Sequence, residues 1–567
     1  RRRPRTMAAQ AMAVALLACS AAALQPSLFM GHRRICHQCV PTTPRSVRPM
    51  AVQAEIDAAP SASTAFEEWA EQSGIQAGKL RIVGGDEAKK SRRSAGKGGS
   101  RKGTSRKASA AAAEPLREYL LPETLRGVVA IEAIAEGEEM LRVPRGRCLD
   151  LAIAPTTPCP QLVPNGLWET LAWYERLALW LLAEKARGAD SAIVGYVSYL
   201  PPPHAFDDAP LSWTEEELSE LRYPPFAAAV REQAASLALL HAELQSRGGP
   251  DAASVSLDDL RWAVQLVLSR AFSSEIASVA EAAAAARAAG GKRAAPANPI
   301  AQAAADVREN ALKALRSPFE ALGVGGGDGG GGTLSMAMMP MMDALNHRSD
   351  ARAVCAFDPT DNAFVLTAGG AVEPGQQVFI SYGPKGNDEL LQLFGFVELA
   401  NEYDTFLAVG LEPFALSRAS ELFSEAETSR RASLLAGLRL DAAFDDCELK
   451  ATGAPRSTWF ALRVLLGSAS ELDGDLQRLA RPASAETEGR LCDVLRAYCK
   501  AARAAMGGSR TQDLEAVRRE RSPRRRLALQ YRSEKKRLLS ELENRLKLAE
   551  ERAKKGGKAP TAALTLE

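Results

Sequence analysis

The chain has 567 residues, of which 46% are hydrophobic and 25% are charged. This is the composition of a globular protein, and the length exceeds what one hydrophobic core usually organises, so we expect more than one domain. A formal net charge of +2 excludes a global attraction to nucleic acid. The nine cysteines do not supply the two closely spaced ligand pairs that a structural zinc site needs. We therefore expect no metal site, and thiols that are reduced and mostly buried.

Residues 1–60 have the pattern of a targeting leader that is removed. The Ala-, Leu- and Val-rich stretch Ala8–Leu24 is too short and too rich in alanine for a membrane span. The stretch Gly31–Met50 that follows contains four arginines and no acidic residue, which is typical of organelle transit peptides. A secretory signal is the alternative, but a secreted protein would more often pair its cysteines. The leader therefore predicts the plastid stroma, with the cytoplasm or secretory pathway as alternatives, and no membrane span in the mature protein.

Residues 61–114 combine a short helix with a basic insert. Apolar residues at helical spacing and a glycine stop predict a helix over Ala65–Ile75. From Lys89 to Lys107, nine basic and no acidic residues lie among glycine and serine, a composition typical of a disordered linker. Nucleic-acid binding is the alternative role of this insert, but it lacks interleaved aromatic residues for base stacking. We expect no nucleic-acid partner.

Residues 115–412 alternate between strand and helix patterns. Arg126–Val143 predicts two short strands, and Pro144 ends the second. Helical periodicity then predicts an inserted helical region over about residues 150–270, with helices at Trp168–Arg187 and Leu257–Phe272.

Two further features of this region concern its loops. Ser212 or Thr214 is placed to cap a helix that begins in the acidic stretch after them. Residues 273–333 are rich first in alanine and then in glycine, which predicts a flexible expansion. This stretch lacks the Gly-Lys-Ser/Thr ending of a phosphate-binding loop.

The C-terminal part has an almost wholly helical pattern from Leu416 to Glu551. It predicts a helical domain over residues 413–556, followed by a tail over residues 557–567. Leu538, Leu542 and Leu546 lie four residues apart, and three leucines among lysine and glutamate predict a packed surface helix rather than a coiled coil.

The segment Met339–Phe396 carries the motifs that indicate chemistry. It begins Met-Pro-Met-Met-Asp-Ala-Leu and continues with Asn346-His347. A β-rich stretch then ends in Tyr382-Gly383, and Phe394-Gly-Phe396 follows.

Two motifs elsewhere accompany this segment: Ser269-Arg-Ala-Phe272 ends the helical region, and Tyr531-Arg-Ser-Glu-Lys-Lys-Arg-Leu-Leu539 lies near the end of the C-terminal helices. In this order along the chain, the motifs resemble the SET-domain protein methyltransferases of the Rubisco large-subunit methyltransferase-like family. The resemblance extends from about Ala65 to Ala549, without the basic insert and the Ala/Gly-rich expansion.

The resemblance implies an α+β fold: a SET-domain β fold with a pseudoknot, an inserted helical subdomain, and a C-terminal all-helical substrate-binding domain. It implies a protein-lysine N-methyltransferase that uses S-adenosyl-L-methionine and acts on a folded protein. With plastid targeting, the Rubisco large subunit and fructose-bisphosphate aldolase are the family's candidate substrates. The protein substrate would dock on the helical domain, and we expect a monomer.

The resemblance also implies the site residues. The expected cofactor-binding residues are Arg126, Gly127, Ser269, Arg270, Asp343, Asn346, His347 and Tyr382. Tyr382 is the expected catalytic residue, because in-line methyl transfer requires that the amine, the methyl group and the sulfur be aligned. Phe272, Phe394 and Phe396 would line the channel for the target lysine, whose pKa falls on desolvation.

Two positions bear on the alternatives. Leu125 stands where the family usually has a glycine, and a side chain there alters how closely the backbone can approach the cofactor. This departure is the support for one alternative, a catalytically inactive SET-fold binding module. Histidine methylation is the second alternative, but those relatives carry a polar residue at the position of Phe272. Many relatives carry tyrosine or another polar residue at the position of Phe394, and the loss of that polar group leads us to expect di- or trimethylation.

Overall fold

The computed structural model describes residues 62–84, 126–273, 336–445, 447–474, 476–554 and 560–566. The leader, the basic insert, Leu125 and nearly all of the Ala/Gly-rich expansion lie outside these residues. The α-helices are α1 (Ala62–Gln72), α2 (Asn165–Trp168), α3 (Trp173–Arg187), α4 (Val194–Tyr199), α5 (Glu215–Ser219), α6 (Pro224–Arg247), α7 (Leu257–Arg270), α8 (Asn387–Phe394), α9 (Leu411–Leu422), α10 (Glu425–Gly437), α11 (Ala442–Asp445), α12 (Arg456–Leu466), α13 (Ala469–Leu472), α14 (Ala485–Ala505), α15 (Arg510–Arg519) and α16 (Pro523–Lys554).

The strands are short and form small sheets. They are β1 (Leu80–Val83), β2 (Gly127–Ala130), β3 (Glu139–Pro144), β4 (Leu149–Asp150), β5 (Phe272–Ser273), β6 (Met336–Met338), β7 (Asn346–His347), β8 (Val354–Asp358), β9 (Ala363–Thr367), β10 (Phe379–Ile380), β11 (Phe406–Leu407), β12 (Glu448–Leu449), β13 (Ala454–Pro455) and β14 (Thr565–Leu566). The two strands predicted within Arg126–Val143 are β2 and β3.

Antiparallel pairing organises the part of the chain around the site. β1 pairs with β2, β9 lies between β3 and β8, and β6 lies between β4 and β5. β4 precedes the helical insertion and β5 follows it, so both ends of the insertion are held against β6. The chain leaves β6 directly into the loop that carries Asn346-His347. Pairing therefore brings the end of the insertion next to that loop.

Helix α7 shows how the insertion directs a side chain to this junction. The hydroxyl of Ser256 accepts a hydrogen bond from the Asp259 amide at 3.1 Å, and the Asp259 carboxylate accepts one from the Ser256 amide at 3.3 Å. This reciprocal cap fixes where the helix begins. The middle of α7 is buried against α3, and Trp262 donates from Nε1 to the Pro201 carbonyl at 2.9 Å. A helix held in this way ends at a defined place, so Arg270 in its last turn is fixed at the junction.

The structure refines three helix predictions in the insertion. Thr214, not Ser212, is the cap: its hydroxyl accepts from the Glu217 amide at 3.3 Å. The helix predicted over Trp168–Arg187 is two helices, because the Glu175 carboxylate accepts from the Ala172 amide at 2.8 Å and starts α3 anew. The helix predicted over Leu257–Phe272 ends at Arg270, because the next residues pair as β5.

The C-terminal lobe, α9–α16, is less uniform than its pattern predicts. The pairs β11–β12 and β13–β14 interrupt the helices. Residues 560–566 of the predicted tail pack onto this lobe, since β14 pairs with β13 and Trp459 donates from Nε1 to the Leu564 carbonyl at 3.1 Å. The last part of α16 agrees with the predicted packed surface helix, because Leu538, Leu542 and Leu546 are buried while residues 544, 545, 547 and 548 are exposed. The preceding turns, residues 530–536, are buried on all sides, and the helix packs against α14 and α15.

The cysteines of the described residues bear on one further expectation. Five cysteines of the described ranges are buried free thiols: Cys148, Cys159, Cys447, Cys492 and Cys499. Cys355 is partly exposed. This agrees with the expectation of reduced, mostly buried thiols. Of the helices in the described ranges, none has the length and apolar character needed to cross a membrane.

Candidate active site

An open cavity of about 590 Å³ lies where the end of α7, the loop after β6, Tyr382 and the end of α8 meet. The side chains around it are those of Trp173, Leu268, Ser269, Arg270, Ala271, Phe272, Met336, Asp343, Leu345, Tyr382, Lys385, Leu393 and Phe394. Six predicted site residues line the cavity: Ser269, Arg270, Phe272, Asp343, Tyr382 and Phe394.

A buried ion pair forms the polar wall of the cavity. Arg270 donates from Nη1 to the main-chain oxygen of Asp343 at 2.7 Å and to its Oδ2 at 3.3 Å. The hydroxyl of Tyr196, on α4, donates to the same Oδ2 at 2.8 Å. Burial favours the neutral form of Arg270, but the Asp343 carboxylate outweighs it and raises the pKa of the guanidinium above its ordinary value. Asp343 Oδ1 is also buried and has no hydrogen-bond partner in the described part of the chain.

A strained turn aims Asp343 into the cavity. Met341 has φ +68° and ψ −41°, a backbone conformation that residues other than glycine rarely adopt. The Met342 amide donates to the Pro340 carbonyl at 2.8 Å and closes a three-residue turn around Met341. The side chain of Met341 is buried, so the surrounding core holds the strained residue in place. Backbone strain of this kind clusters at functional sites, which fits the position of Asp343 directly after the turn.

Parallel pairing of β7 with β10 brings the two main motifs together. Asn346 lies opposite Phe379, and His347 opposite Ile380. Two residues beyond β10, the Tyr382 amide donates to His347 Nδ1 at 3.0 Å. Because Nδ1 accepts, the ring proton of neutral His347 is on Nε2, which lies 3.5 Å from Glu398 Oε2. His347 therefore holds the backbone of Tyr382 rather than lining the cavity.

Burial opposes ionisation of the Glu398 carboxyl, but its contacts with His347 and Ser349 outweigh this and lower its pKa. A charged Glu398 beside Nε2 favours the tautomer that keeps Nδ1 free to accept. The position of the Tyr382 backbone thus depends on a carboxylate of a later loop.

Asn346, Gly127 and Arg126 form a network beside the cavity. Asn346 donates from Nδ2 to the Arg126 carbonyl at 2.7 Å and to Gln377 Oε1 at 3.0 Å. A Cβ atom on Gly127 would lie 2.7 Å from Gln377 Nε2 and 3.0 Å from Asn346 Nδ2. The Arg126 side chain donates to the Tyr199 carbonyl at 2.7 Å and lies over the Tyr199 ring, 5.0 Å from its centroid. These three predicted residues therefore meet one another, and they are not among the residues that line the cavity.

Aromatic rings form the apolar wall. The Tyr382 hydroxyl donates to the Leu345 carbonyl at 2.9 Å, and the Tyr382 ring stacks on Phe394 with centroids 4.7 Å apart. Phe396 packs behind this stack, 6.0 Å from His347 and 6.3 Å from Phe394, and is not a lining residue of the cavity. The cavity is thus lined by a buried ion pair and by stacked aromatic rings. Such a lining suits a ligand that has ionic groups in one part and a cationic or apolar group in another.

Sequence reasoning missed several residues of the site. Trp173 and Lys385 line the cavity, while Tyr196 and Gln377 orient residues that had been predicted. Lys385 follows Tyr382 by three residues and could have been noticed. Trp173 and Tyr196 lie in helices far from that segment along the chain, and no pattern in the sequence places them at the cavity. No group of His, Cys, Asp and Glu side chains with metal-binding geometry occurs among the residues that the structure describes.

Comparison with known proteins shows which fold carries this cavity. Residues 424–539 match a domain family described as Rubisco LSMT substrate-binding. A structure described as the SET domain of LSMT bound to lysine and AdoHcy superposes with a TM-score of 0.53 at 17% identity, over 88% of this chain and 94% of that one. A structure described as Rubisco LSMT bound to AdoMet gives 0.52 at 18% identity over the same shares. The chain has the Rubisco LSMT fold. The predicted resemblance and the predicted fold class are both confirmed.

Relatives in sequence agree with the Rubisco LSMT fold. The chloroplastic ribulose-1,5-bisphosphate carboxylase/oxygenase large subunit N-methyltransferase of Pisum sativum is 24% identical over 452 residues, 76% of this chain and 77% of that protein. Ribosomal lysine N-methyltransferase set10 of Schizosaccharomyces pombe is 38% identical over 78 residues, 13% of this chain and 14% of that protein. SET domain-containing protein 4 of Mus musculus is 33% identical over 67 residues, 12% of this chain and 15% of that protein. The chain thus matches the last two over about one seventh of their length.

Proposed function

We propose that this protein is an S-adenosyl-L-methionine-dependent protein-lysine N-methyltransferase that acts on a folded protein. The observation that carries the proposal is the cavity itself, which is lined by both the Arg270–Asp343 pair and the stacked rings of Tyr382 and Phe394. This arrangement can hold an amino-acid head at one end and a cationic reacting centre at the other.

The residues of the cavity fit the proposed cofactor. A planar guanidinium is suited to a carboxylate, and Arg270 would bind that of the amino-acid head. The unpartnered Asp343 Oδ1 would accept a hydrogen bond from an ammonium group, which removes the cost of leaving it unsatisfied. Asn346 and His347 would act beside them, the first through its link to the Arg126 backbone and the second by holding Tyr382. When bound, S-adenosylmethionine supplies an electrophilic methyl group on a sulfonium.

The residues of the chain itself would supply alignment rather than proton transfer. The Tyr382 ring is fixed from both ends, by its hydroxyl on Leu345 and its amide on His347. A fixed ring can direct an amine onto a methyl group, and alignment is the main requirement of a displacement reaction. The target lysine must be neutral to attack, and apolar walls lower its pKa by desolvation.

Lysine is favoured over histidine as the target because the relevant wall is apolar. Phe272 is buried on β5 and lines the cavity together with Leu268 and Leu393, so no polar side chain at that position meets an imidazole. The retained cavity likewise favours an enzyme over an inactive binding module.

The protein substrate would dock on residues 424–539, which match a substrate-binding family. We propose a plastid substrate, either the Rubisco large subunit or fructose-bisphosphate aldolase. The similarity to the chloroplastic enzyme of Pisum sativum supports the compartment and the first of these.

Transfer of a labelled methyl group tests the proposal. The wild-type protein and Tyr382→Phe are incubated with labelled S-adenosylmethionine and either stromal or cytosolic extract. We expect a labelled protein in the stromal extract with the wild type and at least about a tenfold weaker signal with the variant. Peptide mass spectrometry then identifies the modified residue, and a methylated histidine would contradict the choice of lysine.

Two outcomes would overturn the assignment. Calorimetric titration without saturation by S-adenosylmethionine would favour the inactive binding module. Saturable binding of S-adenosylmethionine, with no labelled protein in any extract, would show that the protein binds the cofactor without transferring its methyl group. That result would refute the proposed enzymatic activity.

A further inference from the structure

Lys535 is a fully buried cation at the boundary between the C-terminal lobe and the cavity. It lies on α16, and its Nζ is 2.7 Å from Asp388 Oδ1 and 2.9 Å from Asp404 Oδ1. It also donates to the Thr405 carbonyl at 2.5 Å. Burial lowers the pKa of Lys535, but Asp388 and Asp404 outweigh this and raise it, so the side chain stays charged. A buried ammonium held by three oxygens has a single geometry and can fix what it binds.

What Lys535 binds is the beginning of α8. Asp388 is in the first turn of this helix, and it also accepts a hydrogen bond from the hydroxyl of Tyr531, one turn before Lys535 on α16. Asp404 accepts from both the amide and the Nδ2 of Asn387, at 3.0 and 3.1 Å. The first two residues of α8 are therefore tied to α16 directly and through one shared carboxylate.

The other end of α8 is the aromatic wall of the cavity. Phe394 is its last residue and stacks on Tyr382, with centroids 4.7 Å apart. Gly395, at φ +73°, ends the helix in the left-handed conformation, and its amide donates to the Leu391 carbonyl at 3.1 Å. A capped helix of two turns is a rigid rod, so a shift at Asp388 is carried to Phe394 about 9 Å away.

Other residues of the same part of α16 hold the chain that returns from α8. Glu534 accepts from the Ala400 amide at 2.8 Å, and Arg537 donates to the Asn401 carbonyl at 3.3 Å. These contacts, with those of Lys535, cover both the start of α8 and the loop after it. They make α16 part of the frame of the cavity.

We propose that Lys535 is a positioning residue for the cavity: through Asp388 and Asp404 it sets the placement of α8, and with it the Phe394 wall against which the methyl acceptor lies. The statement that the methyl acceptor lies against Phe394 rests on the proposed function. It gives the C-terminal lobe a second role besides docking, because an acceptor that never touches the docking surface would still depend on α16.

The chain offers a matched control in the adjacent residue. Lys536 is also buried on α16, and its Nζ lies 2.6 Å from Asp513 Oδ2 and donates to the Gly507 carbonyl. Both partners belong to the C-terminal lobe. Lys536→Met therefore removes a buried cation from the same helix without touching α8.

The experiment compares Asp388→Asn, Lys535→Met and Lys536→Met in the full chain labelled with 4-fluorophenylalanine. The fluorine resonance of Phe394, one of 16 phenylalanines, is assigned by its loss in Phe394→Leu. We expect this resonance to shift in Asp388→Asn and Lys535→Met and to keep its wild-type position in Lys536→Met. Asp388→Asn leaves Lys535 paired with Asp404, so it serves where Lys535→Met does not fold. A wild-type position in Asp388→Asn, or an equal shift in Lys536→Met, would overturn the proposal.

A kinetic arm uses a short lysine-containing peptide as the acceptor, which is too small to need the docking surface. We expect kcat with the peptide to fall about tenfold or more in Asp388→Asn, with the affinity for S-adenosylmethionine unchanged. A loss confined to KM for a folded protein substrate would show that the contact serves docking alone and refute the proposal. If the wild type transfers no methyl group to any acceptor, the proposed function fails, while the fluorine resonances still report whether Lys535 places Phe394.

Discussion

Substitution of Gly127 by alanine tests the network beside the cavity. Gly127 is buried in β2, and the space that its missing side chain leaves is filled by two amides. A methyl group there would lie 2.7 Å from Gln377 Nε2 and 3.0 Å from Asn346 Nδ2, closer than side chains normally pack. At least one amide must move, and Asn346 cannot move without disturbing its 2.7 Å hydrogen bond to the Arg126 carbonyl.

The expected cost follows from these contacts. An extra methyl group in a packed core costs about 1–3 kcal/mol, and a lost hydrogen bond of Asn346 adds about 0.5–1.5 kcal/mol. Replacing glycine by alanine stabilises a compatible site by about 0.4–1 kcal/mol through the unfolded chain, which offsets part of this. We expect Gly127→Ala to lower the free energy of unfolding by about 2 kcal/mol. If Asn346 holds the methyl donor, loss of one hydrogen bond worth about 0.5–1.5 kcal/mol should lower the affinity for S-adenosylmethionine about two- to tenfold.

Urea unfolding measures the first effect and calorimetry the second. Gly78→Ala is the matched control, because a Cβ on Gly78 meets no atom within 4 Å. Gln377→Ala removes the side chain that clashes with the new methyl group. The double variant should therefore lose less free energy of unfolding than the two single variants lose together. Wild-type stability and wild-type donor affinity in Gly127→Ala would show that the amides do not pack against this glycine, and the argument for the network would fail.

Three other predictions concern the channel wall, acid stability and the C-terminal segment. Phe394→Tyr places a hydroxyl in the wall, and we expect products to shift from di- or trimethyl to monomethyl lysine by mass spectrometry; monomethyl product from the wild type would contradict this. Burial opposes ionisation of Glu471, but hydrogen bonds from Ser484, Thr487 and Ser468 outweigh it and lower its pKa from 4.5 to about 2. Its stabilising contribution is thus present above pH 4.5 and lost as the pH falls towards 2, so urea midpoints of Glu471→Gln and the wild type should differ at pH 6 and converge near pH 2; a constant difference would refute the assignment. Deletion of residues 560–567 exposes the site of Leu564 and leaves Trp459 Nε1 without its acceptor, and should cost about 3–5 kcal/mol in urea unfolding; an unchanged midpoint would contradict the docking of this segment.

Local signals predicted much of the fold. The cap at Thr214, the strands β2 and β3, and the helical insertion each depend on residues close together in sequence, and the order of the motifs indicated how these pieces assemble. The central position of α16 could not be predicted in this way. Its middle carries Arg532, Lys535 and Lys536, and three cations in one helix are usually solvated. They are buried because Asp388, Asp404 and Asp513 meet them, and two of these lie more than 130 residues away.

For the site, too, local motifs could be recognised in the sequence but contacts between distant residues could not be predicted. Arg270, Asp343, Tyr382 and Phe394 stand in recognisable motifs, and the structure places all four around one cavity. The residues that orient them are distant in sequence: Tyr196 reaches Asp343 from 147 residues away. Pairing of β7 with β10 decides which residues line the cavity and which stand behind it, and no pattern in the sequence specifies a two-residue parallel pair.

The two carboxylate oxygens of Asp343 have different surroundings. Its Oδ2 is fully engaged by Arg270 and Tyr196, which fixes the carboxylate, while Oδ1 is buried and has no partner in the described residues. A carboxylate kept only for stability would satisfy both oxygens, because a buried acceptor without a hydrogen bond costs about 1–3 kcal/mol. The turn at Met341 adds a further backbone cost to the same loop. A donor group of a ligand that reaches Oδ1 would remove the first of these costs, so the unpartnered oxygen is itself an argument that the cavity binds a ligand.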